Sequence, residues 1–231
     1  MRLDKYLSHS GAGSRKEVKD FITKGLVSVN GKIILSPKHE VKEEDLVELD
    51  GLVKTYQEYV YYMLNKPKDT ISATQDRRLT VLDCIKKEDQ RVGLFPVGRL
   101  DKDTTGLLLL TDDGALAHRL LSPKSRIPKS YLARLRKDLK EEDTLRFQKG
   151  FFLEKEEMLT LPAQLEILEK RLAKVTIMEG KYHQVKRMFA MCDNEVLELK
   201  RLTMGKLSLD ESLLEGEYRP LTPKELEDLL I

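Results

Sequence analysis

The apolar positions along this 231-residue chain change period several times. Leu3 and Leu7 stand four apart, a helical spacing, ahead of Gly11 and Gly13. Val18, Phe21 and Ile22 repeat that spacing between Ser14 and Gly25. Ser14 and Glu17 form a capping box for this second helix, since each side chain can accept from the other's backbone N–H. Leu26 to Ile34 is apolar on both sides of Asn30-Gly31, a strong hairpin signal. Two helices and a hairpin make a small module with a small core. Gly51 to Glu58 reads as a linker, so the expected division is 1–50, 51–58 and 59–231.

The second part opens on a β-prone stretch, Tyr59 to Leu64, ended by Asn65-Lys66-Pro67. Leu107 to Leu110 is a short apolar run between turn signals, long enough for one buried strand. Thr111 is placed to cap a helix over Gly114 to Leu121, with Asp112 and Asp113 where its dipole favours them. Lys129 to Leu135 alternates as a strand, and Ala173 to Met178 predicts another. From His183 a helix turns Val185, Met188 and Phe189 inward. Thr222 and Glu225 cap a final helix containing Leu226 and Leu229.

Composition narrows the class. Hydrophobic residues make up 40%, which excludes a disordered chain. The net charge is only +2, so any nucleic-acid footprint lies in the distribution. Residues 1–39 carry eight basic and three acidic side chains, while 40–50 reverse this with six acids against Lys42. Residues 124–140 carry seven basic residues and only Asp138 as an acid. Cys84 and Cys192 give neither a disulfide framework nor metal spacing, so no metal is expected. With no apolar leader and no long apolar run, the expected setting is cytoplasmic, away from membranes.

The candidate chemistry lies in Gly98-Arg99-Leu100-Asp101-Lys102-Asp103-Thr104-Thr105-Gly106. It is charged, bounded by glycines and without period, so it reads as an ordered loop before the leucine strand. That holds a carboxylate, Asp101, between Arg99 and Lys102. Read on its own residues, the loop is equally a surface turn with mutually paired ions. The full string, Gly-Arg-Leu-Asp-x-x-Thr-x-Gly-Leu-Leu-Leu-Leu-Thr-x-Asp-Gly, resembles the catalytic motif of the RNA pseudouridine synthases, in the branch that modifies single ribosomal RNA sites. The resemblance implies that Asp101 is the catalytic residue. Lys129-Ser130-Tyr131 is similar to the family's Lys-x-Tyr motif, implying that Tyr131 stacks on the target base. Gly180-Lys181-Tyr182-His183-Gln184-Val185-Lys186-Arg187-Met188 resembles a third motif, implying that Lys186 is the basic partner of Asp101. The family expects glycine where Asp69 stands, and Asp tolerates a left-handed backbone better than most residues. The first fifty residues resemble the S4 RNA-binding domain through Arg-Leu-Asp-Lys-x-Leu, Ser-Arg-x-Glu and Val-x-Val-Asn-Gly.

The implied fold is α+β: a small S4-like helix-helix-hairpin domain, then a mainly antiparallel mixed β-sheet catalytic domain with flanking helices. The implied RNA contacts are Arg2, Lys5, Arg15, Lys16, Lys19, Arg99, Lys129, His183, Gln184 and Arg187. The implied reaction turns uridine into pseudouridine with no cofactor. The carboxylate can act by attack on the sugar, by attack on the base, or by removing the C2′ proton. The Gly180 and Gly216 regions look closest to the small-subunit (16S) branch. The large-subunit (23S) branch and a non-catalytic RNA-binding or assembly protein are the alternatives. A hydrolase of the glycosidase kind lacks a second matched carboxylate here. The expected partner is ribosomal RNA, bound by a monomer.

Overall fold

The computed structural model describes residues 1–153 and 157–230. The chain forms two compact units. The first comprises Met1–Val60 with the excursions Ile85–Phe95 and Thr111–Asp113. In it, α1 (Leu3–His9) and α2 (Arg15–Thr23) accompany β1 (Val27–Val29), β2 (Lys32–Ile33), β3 (Val47–Leu49) and β4 (Leu52–Val53), whose order is β2-β1-β3-β4. Leu3, Leu7, Val18 and Ile22 from the helices share one core with Val27, Val29, Val41 and Val47. The capping box is formed, with Ser14 N–H donating to Glu17 at 2.8 Å and Glu17 N–H to Ser14 at 3.3 Å. The hairpin turns at Asn30-Gly31, pairing Val29 with Lys32.

Two expectations change here. Leu52–Val53, placed in the linker, is the fourth strand of this sheet. Asp50 and Gly51 have φ of 51° and 75°, the paired positive values that a tight hairpin turn demands. The sequence carries this Asp-Gly signal as plainly as it does Asn30-Gly31. Asp112 does not serve a helix dipole: Arg91 Nε lies 3.1 Å from its carboxylate, and Val60 N–H donates to it at 2.8 Å. Arg91 also donates to the Gln57 and Glu58 carbonyls, so the guanidinium ties this segment of backbone together.

Among the described residues, the second unit holds a nine-stranded sheet, a separate two-stranded sheet of β9 and β10, and flanking helices. Its elements are β5 (Tyr61–Lys66), β6 (Phe95–Pro96), β7 (Thr104–Thr111), α3 (Gly114–Leu121), β8 (Lys129–Leu135), α4 (Glu141–Lys149), β9 (Phe152–Leu153), β10 (Met158–Leu159), β11 (Gln164–Glu169), β12 (Leu172–Ile177), α5 (Gln184–Ala190), β13 (Val196–Met204), β14 (Leu207–Ser208), β15 (Tyr218–Pro220) and α6 (Pro223–Leu230). The main path runs β11-β12-β8-β13-β7-β5-β15. The sheet is mixed: β13 lies parallel to β7 and antiparallel to β8. Strand β7 is longer than its leucines announce, beginning at Thr104, and every residue in it is buried. A strand covered on both faces needs a continuous apolar run rather than an alternating one. Strand β5 starts two residues later than Tyr59 and continues through Lys66. The box at α6 is formed between Thr222 and Glu225, and Arg219 adds a two-nitrogen clamp on the same carboxylate.

Candidate active site

The loop before β7 is held from several sides. Ser72 Oγ donates to the Leu100 carbonyl and accepts from the Leu100 N–H, both at 3.1 Å. Asp69 N–H donates to the Lys102 carbonyl at 2.9 Å. Asp69 has φ 65°, so the left-handed turn survives with aspartate in place of glycine. Beneath the loop, Lys66 is 0% exposed. Its Nζ donates to the carbonyls of Pro67 (2.9 Å), Thr104 (3.0 Å) and Lys102 (3.3 Å). Burial pushes this ammonium down to about 8, while Asp103, Asp101 and Asp69 pull the other way. Nothing in the sequence marks Lys66 beyond its place between an apolar run and Pro67, where it reads as a strand terminator.

The fixed loop presents Asp101 to α5. Lys186 Nζ lies 3.0 Å from Asp101 Oδ2 and 2.6 Å from Asp103 Oδ1, so one ammonium bridges two carboxylates. Burial works against that charge, but the hydrogen bonds to Asp103 and Asp101 outweigh it and hold Lys186 above the ordinary lysine value. Asp103 is held below the usual carboxylate range: its own burial opposes this and Lys186 overcomes it. His183 Nε2 lies 3.3 Å from Asp101 Oδ1. His183 is the residue before α5 and takes φ 48°, which turns its ring away from the helix path to stack on Tyr182 at 3.9 Å.

The pocket is lined by Asp101, Thr104, Tyr131, His183, Lys186 and Leu199, among others. Tyr131 comes from β8, is 8% exposed, and pairs with Arg201 on β13 and Val175 on β12. Five separate elements therefore converge: a loop, the start of β7, β8, α5 and β13. The arrangement offers a carboxylate fixed against a cation and an aromatic wall. It supplies a charged group able to attack or to remove a proton, beside a surface on which a planar ring can lie.

The expected RNA contacts divide. Lys5, Arg15, Lys16, Lys19 and Arg99 are exposed. Arg2 is exposed but grips Asp4 through two nitrogens, at 3.0 and 2.7 Å. Arg187 is half-buried and donates to the Tyr182 carbonyl. Gln184 lines the pocket and is 3% exposed, donates to Glu179 at 2.9 Å and accepts from Lys181 N–H at 2.9 Å. It fastens the turn between β12 and α5, because an amide at a helix start meets the preceding backbone before it meets solvent. Lys129 is half-buried: its Nζ donates to the Ile127 carbonyl at 3.0 Å, and burial, then Arg201, pushes it down to about 8.

The mixed sheet with a parallel central pair, the loop-borne aspartate clamped by a helix lysine and the helix-helix-hairpin module are in keeping with the resemblance that the sequence motifs carry. The comparisons agree. The family model for RNA pseudouridylate synthase matches residues 60–191, and that for the S4 domain matches residues 1–47. The chain is 48% identical to an uncharacterized RNA pseudouridine synthase of Bacillus subtilis, covering 98% of this chain and 97% of that one. It is 41% identical to the ribosomal small subunit pseudouridine synthase A of Haemophilus influenzae, covering 100% of both. A crystal structure of a pseudouridylate synthase superposes with a TM-score of 0.71 at 40% identity, covering 99% of each chain. The chain belongs to the RNA pseudouridine synthases and carries an S4 domain.

Proposed function

We propose that this enzyme converts one uridine of small-subunit (16S) ribosomal RNA to pseudouridine. The observation that carries the mechanism is the meeting of Asp101, Lys186 and Tyr131 in one pocket. The small-subunit assignment is supported by the relatives that carry that name over the full length of the chain. In this reading the target nucleotide leaves its stack, at a cost of a few kcal/mol, and Tyr131 offers a replacement surface. Asp101 is the catalytic carboxylate and Lys186 its basic partner. The bond from ribose C1′ to uracil N1 breaks, the base turns, and C5 bonds to C1′. The proton on C5 leaves and N1 takes one up, so nothing is oxidised and no group is imported. The exposed cations of α1 and α2 position the enzyme through phosphates, contacts that carry little sequence information.

Pseudouridine mapping of ribosomal RNA from cells lacking the protein tests this. One small-subunit uridine should lose its modification and regain it with the wild-type gene. Asp101→Asn should bind RNA yet restore nothing, since the amide keeps the shape and loses the charge. Tyr131→Ala should cost roughly 1–3 kcal/mol of target engagement, while Tyr131→Phe keeps most of it. A modification missing from large-subunit RNA instead would sink the subunit assignment. Full restoration by folded Asp101→Asn would sink the mechanism.

A further inference from the structure

Thr104 opens β7, three residues after Asp101, and lines the same pocket. The register puts its side chain on the sheet face that carries Tyr131. Thr104 lies beside Leu199 across the parallel β7–β13 pair, and Leu199 opposes Ala133 on β8. Tyr131 is two residues before Ala133 and so shares its face of the sheet. The Thr104 backbone is fully engaged: its N–H donates to the Asp101 carbonyl at 3.1 Å, and its carbonyl accepts from Lys66 at 3.0 Å. Its side chain is not. Thr104 is 1% exposed, yet Oγ1 has no hydrogen-bond partner among the described residues.

A buried hydroxyl without a partner destabilises the fold, and an apolar side chain of the same shape avoids that penalty. Valine has that shape and suits a strand. The hydroxyl is thus a liability in the free protein. A group of that kind facing a pocket is completed by what enters the pocket. We infer that the Thr104 hydroxyl binds the substrate: it hydrogen-bonds an oxygen of the target nucleoside and so aligns C1′ with Asp101. Uridine presents such oxygens on the base at O2 and O4 and on the ribose at the 2′ position. A threonine hydroxyl can donate to any of these and accept from the last. The inference rests on the reading that the pocket receives uridine.

The test compares wild type, Thr104→Val and Thr104→Ser on a small-subunit ribosomal RNA transcript, by single-turnover rate, RNA affinity and melting temperature. Thr104→Val should melt at or above the wild-type temperature while losing about three- to tenfold in rate or affinity, the worth of one neutral hydrogen bond. Thr104→Ser should stay within about twofold of wild type, since it keeps the oxygen. Repeating the binding on RNA with 2′-deoxyuridine at the target locates the partner. If the gap between wild type and Thr104→Val closes, the partner is the ribose hydroxyl; if it persists, the partner is a base carbonyl. Wild-type rate and affinity in Thr104→Val overturn the inference. So does an equal loss in Thr104→Ser, or a Thr104→Val loss matched by a fall in melting temperature. A wild-type protein inactive on ribosomal RNA from either subunit refutes the functional reading itself and takes this inference with it.

Discussion

Lys66 shows how a single side chain can fix the loop that carries Asp101 without touching Asp101 itself. Its ammonium meets three carbonyls and no carboxylate within hydrogen-bond reach among the described residues, so it acts as a cationic pin under the residues that flank Asp101. Lys66→Met should destabilise the protein by about 1–3 kcal/mol at pH 7, because buried carbonyls lose their donor. The pH dependence has a definite sign. The group falls from 10.5 to about 8 on folding, so between those values the unfolded chain holds the proton that the native state has released. Stability from this group therefore rises with pH across that window and is flat below it. Thermal melts of both proteins from pH 7 to 11 should show the gap between them widening above pH 8, and a narrowing gap would mean that folding favours the charged form instead. At this scale the strings around Asp101, Tyr131 and Lys186 were long enough to read, and the fold brings the three residues to one pocket. It was not legible for Lys66, Thr104 or Gln184. Whether a polar side chain is buried, and what it meets, depends on strands and turns brought together from distant segments, which no local pattern records.

Among the elements, β7 carries the most constraint. Gly106 sits within it at φ 99°, and a Cβ there would meet the Arg201 backbone oxygen at 2.3 Å and its nitrogen at 2.7 Å. Both the backbone conformation and the close parallel neighbour require glycine. Gly106→Ala should cost roughly 2–5 kcal/mol, combining strained backbone with overpacking. Differential scanning calorimetry would show this as a large drop in melting temperature, and a shift below a degree would mean that the β7–β13 pair can spread freely. Elements with a strong local signature were legible: the capping boxes at Ser14 and Thr222, the Asn30-Gly31 hairpin, and the helix after His183. The boundaries of β5 and β7 were not, because Lys66, Thr104 and Thr105 are polar residues whose strand conformation is imposed by their neighbours. Strand β4 escapes for a different reason: its Asp50-Gly51 turn opens a stretch whose composition reads as a linker.

For the whole molecule, charge distribution matters more than total charge. Arg15, Lys16 and Lys19 are all exposed on α2, with Val18 and Ile22 turned to the core. Changing the three to Glu should leave the module folded, weaken RNA binding, and flatten its dependence on salt by about 0.7–0.9 in slope for each phosphate no longer neutralised. Titration at several salt concentrations measures this, and an unchanged slope would remove α2 from the RNA-binding surface. The wholly buried Leu107 to Leu110 carries a consequence of another kind. Its parallel neighbour β13 meets Thr104 through Leu199, which lies far downstream. During synthesis at about 5–20 residues per second, the leucine strand must wait many seconds for the partner that covers its edge. The first helices and hairpin need no such delay, so the RNA-binding end of the polypeptide is finished while the catalytic sheet is still open. Ribosome-bound chains arrested before Val196 should be cut by protease near Leu107, and chains extended through α6 and clear of the exit tunnel should resist. Equal resistance at both lengths would mean that β5 and the early segments shelter the strand alone. In a growing cell, the four-leucine run is made long before the strand that pairs with the start of β7.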